Sequence, residues 1–289
     1  MIRFMSVLLV AVTLSGQQTK PTPPAPQPDV VNSHHVLRIS GQESAKLVAD
    51  IVYSGTGADA QKTDIYIPAN AKPSDKPPLV IALSGADKAK HWGFYRDLGQ
   101  VIAASGMIAV IPDKRYRRGQ TVEGSQDIRA LIAFVKENGS KYSGDGSRVC
   151  LWAFSAGGML LNVGMRGDLP QIKCLVNFYG VVDIGRFPDA PKEAAESDYN
   201  PIVRLRRDPD KLPPTLIARA GKDRVPLNEG LDKFVAEALA KNLAIELINY
   251  PEGQHGFDLY DDNDRSRQIV RRALQFMREN FGEKPTTAE

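Results

Sequence analysis

Ser155 sits in Ala153-Phe154-Ser155-Ala156-Gly157, between a β-rich run at 149–153 and a stretch rich in small residues. A serine hydroxyl is a poor nucleophile at neutral pH, and it attacks an acyl carbon well only when a neighbouring base takes its proton. The spacing fits the pattern G-x-S-x-G, a sharp strand-to-helix turn that pushes the hydroxyl out of the sheet edge. Alanine stands at the first glycine position and is the smallest departure from it. A serine at such a junction is, taken alone, more often a helix N-cap, so its partners decide. His255 is the one histidine of four that follows Ser155, in Gly253-Gln254-His255-Gly256-Phe257. Its flanking glycines let an imidazole turn back over the sheet. Asp223 closes a strand-like run that begins at Thr215 and falls between the two in chain order. In this constellation His255 takes the hydroxyl proton, while Asp223 orients the imidazole and stabilises its cation without accepting the proton.

A tetrahedral oxyanion needs preorganised N–H donors. The first candidate is the backbone N–H of Ala156, directly after the serine. The second is expected from the loop after the run at 79–83, at Gly85 or Ala86 of Ser84-Gly85-Ala86-Asp87. Asp113 follows another strand-like run but precedes Ser155, which favours a structural hydrogen-bonding role. Lys114-Arg115-Tyr116-Arg117-Arg118-Gly119 follows that run. Arg115 and Arg117 are candidate contacts for an anionic substrate group.

These side chains need a scaffold, and the remainder of the sequence describes one. β-Rich runs occur at 47–53, 63–67, 79–83, 108–111, 149–153, 174–178, 215–218 and 245–250. The later ones are nearly continuously apolar, as parallel strands covered on both faces are. Helical stripes lie between them: Ile128, Leu131, Ile132 and Val135; Leu231, Phe234, Val235, Ala238 and Leu239; Ile269, Val270, Ala273, Leu274 and Met277. Each sets an apolar face against a sheet. Alternating strands and helices predict an α/β fold of three layers, one domain with a mostly parallel sheet. Residues 181–212 are more than a simple crossover needs, and are expected to form a small helical cap excursion.

From about 50 to 281 the chain resembles the α/β-hydrolases, in particular the carboxylesterase and acetyl-esterase group bordering on dienelactone-hydrolase-like proteins. The resemblance is carried by Thr63-Asp64-Ile65-Tyr66-Ile67-Pro68, Trp92 with Tyr95-Arg96-Asp97-Leu98, and Val110-Ile111-Pro112-Asp113. The serine turn, Gly221-Lys222-Asp223 and Gln254-His255-Gly256 complete it. The order Ser, Asp, His is the one this fold uses. The resemblance implies a serine esterase acting through an acyl-enzyme on small carboxylic esters, including acetyl groups on carbohydrate. Relatives usually carry His-Gly-Gly or His-Gly where this chain has Ser84-Gly85-Ala86. A prolyl-oligopeptidase-like peptidase shares the triad order but generally brings a propeller domain, for which there is no room. A catalytically silent binding protein of the same fold is the alternative of a different class, and retention of Ser155, Asp223 and His255 counts against it.

The 289 residues contain 37 Lys and Arg against 34 Asp and Glu, a net charge of +3, with 42% apolar residues. This excludes wholesale disorder and gives no reason to expect nucleic acid as a partner. Arg3, the apolar run at 4–14 and the small residues Ser15 and Gly16 have the layout of a secretory signal peptide, too short to span a bilayer. Gln17 stands where a lipoprotein box would need cysteine. The expectation is a soluble exported protein, periplasmic or secreted, with no integral membrane segment after signal removal. Residues 17–46 read as a Pro-rich tether and N-terminal segment, and 47–289 as the catalytic domain. Cys150 and Cys174 are expected as buried free thiols on neighbouring strands. His34-His35 has no further ligands at metal spacing, so neither metal nor organic cofactor is expected. The choice between monomer and homodimer stays open.

Overall fold

All eight β-rich runs become strands, and none differs from its expected bounds by more than two residues at either end. They are β1 (Lys46–Ser54), β2 (Gln61–Ile67), β3 (Leu79–Leu83), β4 (Ile108–Pro112), β5 (Val149–Phe154), β6 (Ile172–Phe178), β7 (Thr215–Ala220) and β8 (Ile245–Tyr250). The computed structural model describes residues 31–116 and 120–283, so the expected leader, most of the tether and Arg117 lie outside the described residues. The strands form one sheet in the order β1-β2-β4-β3-β5-β6-β7-β8. β2 runs antiparallel to β1 and β4, and every other neighbouring pair is parallel. β3, β4 and β5 are buried along their whole length, which is why those runs lack a polar alternation. The outer strands β1 and β8 keep exposed positions.

Helices cover both faces. α1 (Gly93–Ala104), the short α6 (Phe257–Tyr260) and α7 (Asp264–Asn280) lie on one side. α2 (Thr121–Asn138), a 3-10 helix at Ser155–Arg166, α4 (Pro201–Arg207) and α5 (Val225–Ala240) lie on the other. The α2 and α7 stripes are buried at every expected position. The α5 stripe is buried at Leu231, Phe234, Val235 and Ala238, but Leu239 is 59% exposed. At 100° per residue Leu239 stands about 80° round from Leu231, outside the width a helix presents to a sheet.

The excursion at 181–212 is helical. It contains short 3-10 turns at Ile184–Arg186 and Pro209–Lys211, α3 (Lys192–Glu196) and α4. α4 is an ordinary member of the covering layer, with Ile202 and Leu205 buried in its core. Asp198 ties the excursion down by accepting from Arg166, Arg204 and Arg207.

Residues before 47 also pack against the domain. Leu37 is buried in the core, and Val36 N–H donates to the carbonyl of Asp258. Asp97 of α1 accepts from His34 Nδ1, the His35 backbone N–H and Arg38. These bonds give the His34-His35 pair an anchoring job. Cys150 and Cys174 stand in register across β5 and β6, buried and unbridged. Among the described residues no helix is long and apolar enough to cross a membrane.

Candidate active site

In a parallel sheet the chain leaves every strand at the same edge, and sites form where the strand order reverses. Here β3 lies between β4 and β5, so the loops after β3 and β5 meet at that reversal. Leu83 and Ala153 are paired in register, which sets Ser84-Gly85-Ala86 beside the turn at Ser155. β8 lies three strands from β5, about 14 Å at ordinary strand spacing. The loop after β8 must therefore carry His255 back across the ends of β7 and β6.

It does so. His255 Nε2 lies 2.8 Å from Ser155 Oγ, and Nδ1 lies 2.6 Å from Asp223 Oδ2. The imidazole rests on the ring of Tyr179 at the end of β6, with centroids 4.8 Å apart. The loops after β7 and β8 are laced together, with Gly221 N–H donating to the carbonyl of Tyr250 and Lys222 N–H to that of Gly253. Asp223 is held on its other oxygen by the backbone N–H of Arg224 at 2.7 Å. The carboxylate is 1% exposed and the imidazole 34%, so the acid is shielded while the base stays open to a small molecule.

Ser155 has φ 55°, in the left-handed region. For a residue with a side chain this conformation costs about 1–2 kcal/mol, and neighbouring bonds hold it. Ser155 O accepts from Val181 N–H at 2.9 Å, and Ala156 O accepts from the Tyr116 hydroxyl at 2.6 Å. Gly157 makes the close approach possible, because a Cβ there would lie 2.0 Å from the Leu83 carbonyl oxygen and 2.9 Å from that of Ser84. Gly157→Ala must therefore push the end of β3 away from the serine turn. We expect a stability loss of about 1–3 kcal/mol from overpacking and roughly 100-fold slower turnover from misplacement of the hydroxyl. Thermal unfolding and ester turnover of the same preparation check both.

The N–H groups opening a helix have no partner within it, and Ala156 is in that first turn. An ideal Cβ on Gly85 would lie 3.2 Å from Ala156 N and 3.3 Å from Ser155 Cβ. The loop after β3 thus touches the serine turn at the place where a second donor is needed.

Two further buried groups flank the base. The Tyr179 hydroxyl donates to Asp258 Oδ1 at 2.5 Å. Burial pushes the Asp258 carboxyl up to about 7, against the lowering effect of that bond, and pushes the Tyr179 phenol well above its ordinary value.

Residues 63–211 match the family model BD-FAE, just over half of the 289 residues. The chain belongs to the BD-FAE family. This is an esterase family of α/β-hydrolase type, and carboxylic ester hydrolysis is its class of chemistry. Solved structures agree on the fold. An apo form of Thermogutta terrifontis esterase 2 is 20% identical with a TM-score of 0.69, covering 85% of this chain and 98% of that one. The same esterase phosphoramylated by tabun is 19% identical at a TM-score of 0.68, with the same coverage. Its propionate-bound form is 19% identical at 0.66, again covering 85% and 98%. At that identity the likeness speaks for the fold alone. No curated protein matches.

Within this BD-FAE chain, sequence reading brought Ser155, Asp223, His255, Ala156, Gly85 and Ala86 to one edge of the sheet, and the structure collects them there. Arg115 stands apart from them. Its Nε and Nη2 donate to the carboxylate of Asp127 on α2, the shortest contact being 2.6 Å. Those donors join β4 to α2 rather than facing a ligand. At Asp113 it is the backbone carbonyl that accepts from the Tyr53 hydroxyl, at 2.6 Å, while the carboxylate's Oδ1 is buried without a hydrogen-bond partner among the described residues. Sequence reading missed Tyr116, Tyr179, Asp258 and the inward course of Lys114. The one available signal was the run Lys114-Arg115-Tyr116 at a strand end facing the site.

Proposed function

We propose that this protein hydrolyses small carboxylic esters by nucleophilic catalysis, with Ser155 as nucleophile, His255 as general base and then acid, and Asp223 as the orienting carboxylate. The observation that carries the reading is the continuous chain from Ser155 Oγ through both ring nitrogens of His255 to Asp223, 2.8 Å and 2.6 Å in its two links. His255 takes the hydroxyl proton as Oγ adds to the acyl carbon, and the tetrahedral oxyanion settles on N–H donors of Ala156 and of Gly85 or Ala86. The proton then passes to the leaving alcohol as the C–O bond breaks. Water, deprotonated by the same imidazole, releases the acid. No step calls for a metal or an organic cofactor.

Small acyl groups, acetyl among them, are favoured. The Thermogutta terrifontis esterase of the same fold has been seen with propionate bound. The helical excursion bears Asp, Glu, Arg and Pro without a clean apolar face, which suits water-soluble esters rather than a lipid interface. Export is supported by the leader-like sequence at 1–16.

Acyl-enzyme trapping tests the mechanism. In rapid-quench reaction with p-nitrophenyl acetate, peptide mass spectrometry is expected to find one acetyl group on the peptide bearing Ser155, and none in Ser155→Ala. Steady turnover with the acetyl group on another residue would remove Ser155 from the mechanism. Inert wild-type protein across acetyl, propionyl and butyryl esters would favour a binding role.

A further inference from the structure

Lys114 is 2% exposed, one of the largest side chains fully enclosed by the fold. A buried ammonium is costly unless it is paired or hydrogen-bonded. Among the described residues Lys114 makes no ion pair. Its Nζ donates instead to Ser84 Oγ at 2.9 Å and to the carbonyl oxygen of Ala86 at 2.5 Å. Ser84 Oγ in turn donates to the same carbonyl at 2.7 Å. The Lys114 backbone N–H closes the far side of the loop by donating to the carbonyl of Asp87 at 3.0 Å. Every one of these acceptors belongs to the four-residue loop that meets Ala156 through Gly85. The amine lies over the ring of Tyr116, 5.2 Å from its centroid, and the hydroxyl of that tyrosine binds the carbonyl of Ala156.

We propose that Lys114 is a positioning residue for the oxyanion site: it holds Ser84-Gly85-Ala86 against the serine turn and places a positive charge behind the developing oxyanion. The proposal rests on the reading of Ser155 as nucleophile. Its enclosure keeps substrate from reaching the amine, so Lys114 acts through the loop. In a poorly solvated interior a nearby charge acts more strongly than in water, and a preorganised one costs no reorganisation during reaction. Ser84 is the relay, because its hydroxyl accepts from the lysine and donates to the loop carbonyl.

The surroundings make the amine sensitive to pH. Burial lowers it to about 7, opposed by Asp113 beside it, Asp87 on the loop and Asp127 on α2. Asp127 is shared with Arg115, while Tyr116, and Tyr95 of α1 bound to Ser84, are the facing phenols. The charge is present below that value and lost above it, so its contribution falls on the alkaline side.

The test compares the full chain with Lys114→Met, which keeps the aliphatic stem, and Lys114→Arg, which keeps donors and charge. Turnover of p-nitrophenyl acetate is expected to fall roughly 100-fold in kcat for Lys114→Met, the effect of losing an oxyanion donor. KM should stay within about threefold, Lys114→Arg should recover at least about tenfold, and the alkaline limb should vanish in Lys114→Met. Equal losses in both variants, or an alkaline limb that persists in Lys114→Met, would make the lysine a packing element and overturn the proposal. So would Lys114→Met with wild-type kcat. A second measurement separates this from a failure of the nucleophile assignment. In the Ser155→Ala background, the backbone amide resonances of Gly85 and Ala86 are expected to titrate with Lys114 present and to be displaced and pH-independent with Lys114→Met. Resonances unchanged by Lys114→Met would overturn the positioning role whatever the ester assay shows.

Discussion

Ser155→Ala is expected to lower kcat for p-nitrophenyl acetate by about 10⁶-fold, the scale seen when a triad serine is removed from a serine hydrolase. The substitution deletes one oxygen and leaves the carbon framework of the turn in place. His255 then has no proton to take, and the acyl group has no covalent way station. What remains is binding and the N–H donors, which can still accelerate attack by water by roughly 10³ to 10⁴ over solution. Stability should change little, because the strain at φ 55° belongs to the backbone and is held by Val181 and Tyr116. The decisive comparison is pre-steady-state: wild type should show a burst of p-nitrophenol matching enzyme concentration, and Ser155→Ala none. An undiminished burst in the variant would place the nucleophile elsewhere.

Asp223→Asn should cost about 10⁴-fold in kcat while leaving the shape of the site almost unaltered. The carboxylate accepts from His255 Nδ1 on one oxygen and from Arg224 N–H on the other. An amide can satisfy the first contact by offering its NH₂ group, and Nδ1 must then become the acceptor. That moves the imidazole proton to Nε2, the nitrogen 2.8 Å from Ser155 Oγ, where a lone pair is required. The variant also loses the negative charge that stabilises the imidazolium formed in the transition state. KM should change little, since Asp223 is almost fully shielded from solvent. Steady-state kcat and KM of both proteins check this; a variant within about tenfold of wild type in kcat would deny Asp223 the orienting role.

Much of this was legible in the chain. Each strand announced itself through a local run of apolar and β-branched residues, because a sheet covered on both faces asks for the same composition whatever its neighbours are. The positions of Ser155, Asp223 and His255 could be read because each sits at a strand end marked by glycine, and because their order along the chain is itself a constraint. The small residues around Ser155 carried the turn, since only small side chains fit where the ends of β3 and β5 touch.

Other assignments depended on neighbours distant in sequence. That Ser84-Gly85-Ala86 lies against Ala156 follows from the adjacency of β3 and β5, whose paired residues Leu83 and Ala153 stand 70 positions apart in the chain.

 

A side chain at a strand end can point into the fold or out to solvent, and nothing local decides which. Arg115 and Lys114 are neighbours, yet the first turns to Asp127 on α2 and the second runs inward to the loop after β3. Both look like solvated or ligand-binding cations in the sequence. The packing of residues before 47 is of the same kind, because Val36 and Leu37 read only as an N-terminal segment until α1 and the carbonyl of Asp258 are placed beside them. The sequence by itself therefore determined the elements, their order and the chemistry-bearing residues, which are encoded by short-range pattern. Tertiary structure alone decided which buried charges face which loops, because burial and hydrogen-bond partners are properties of contacts between segments far apart in the chain.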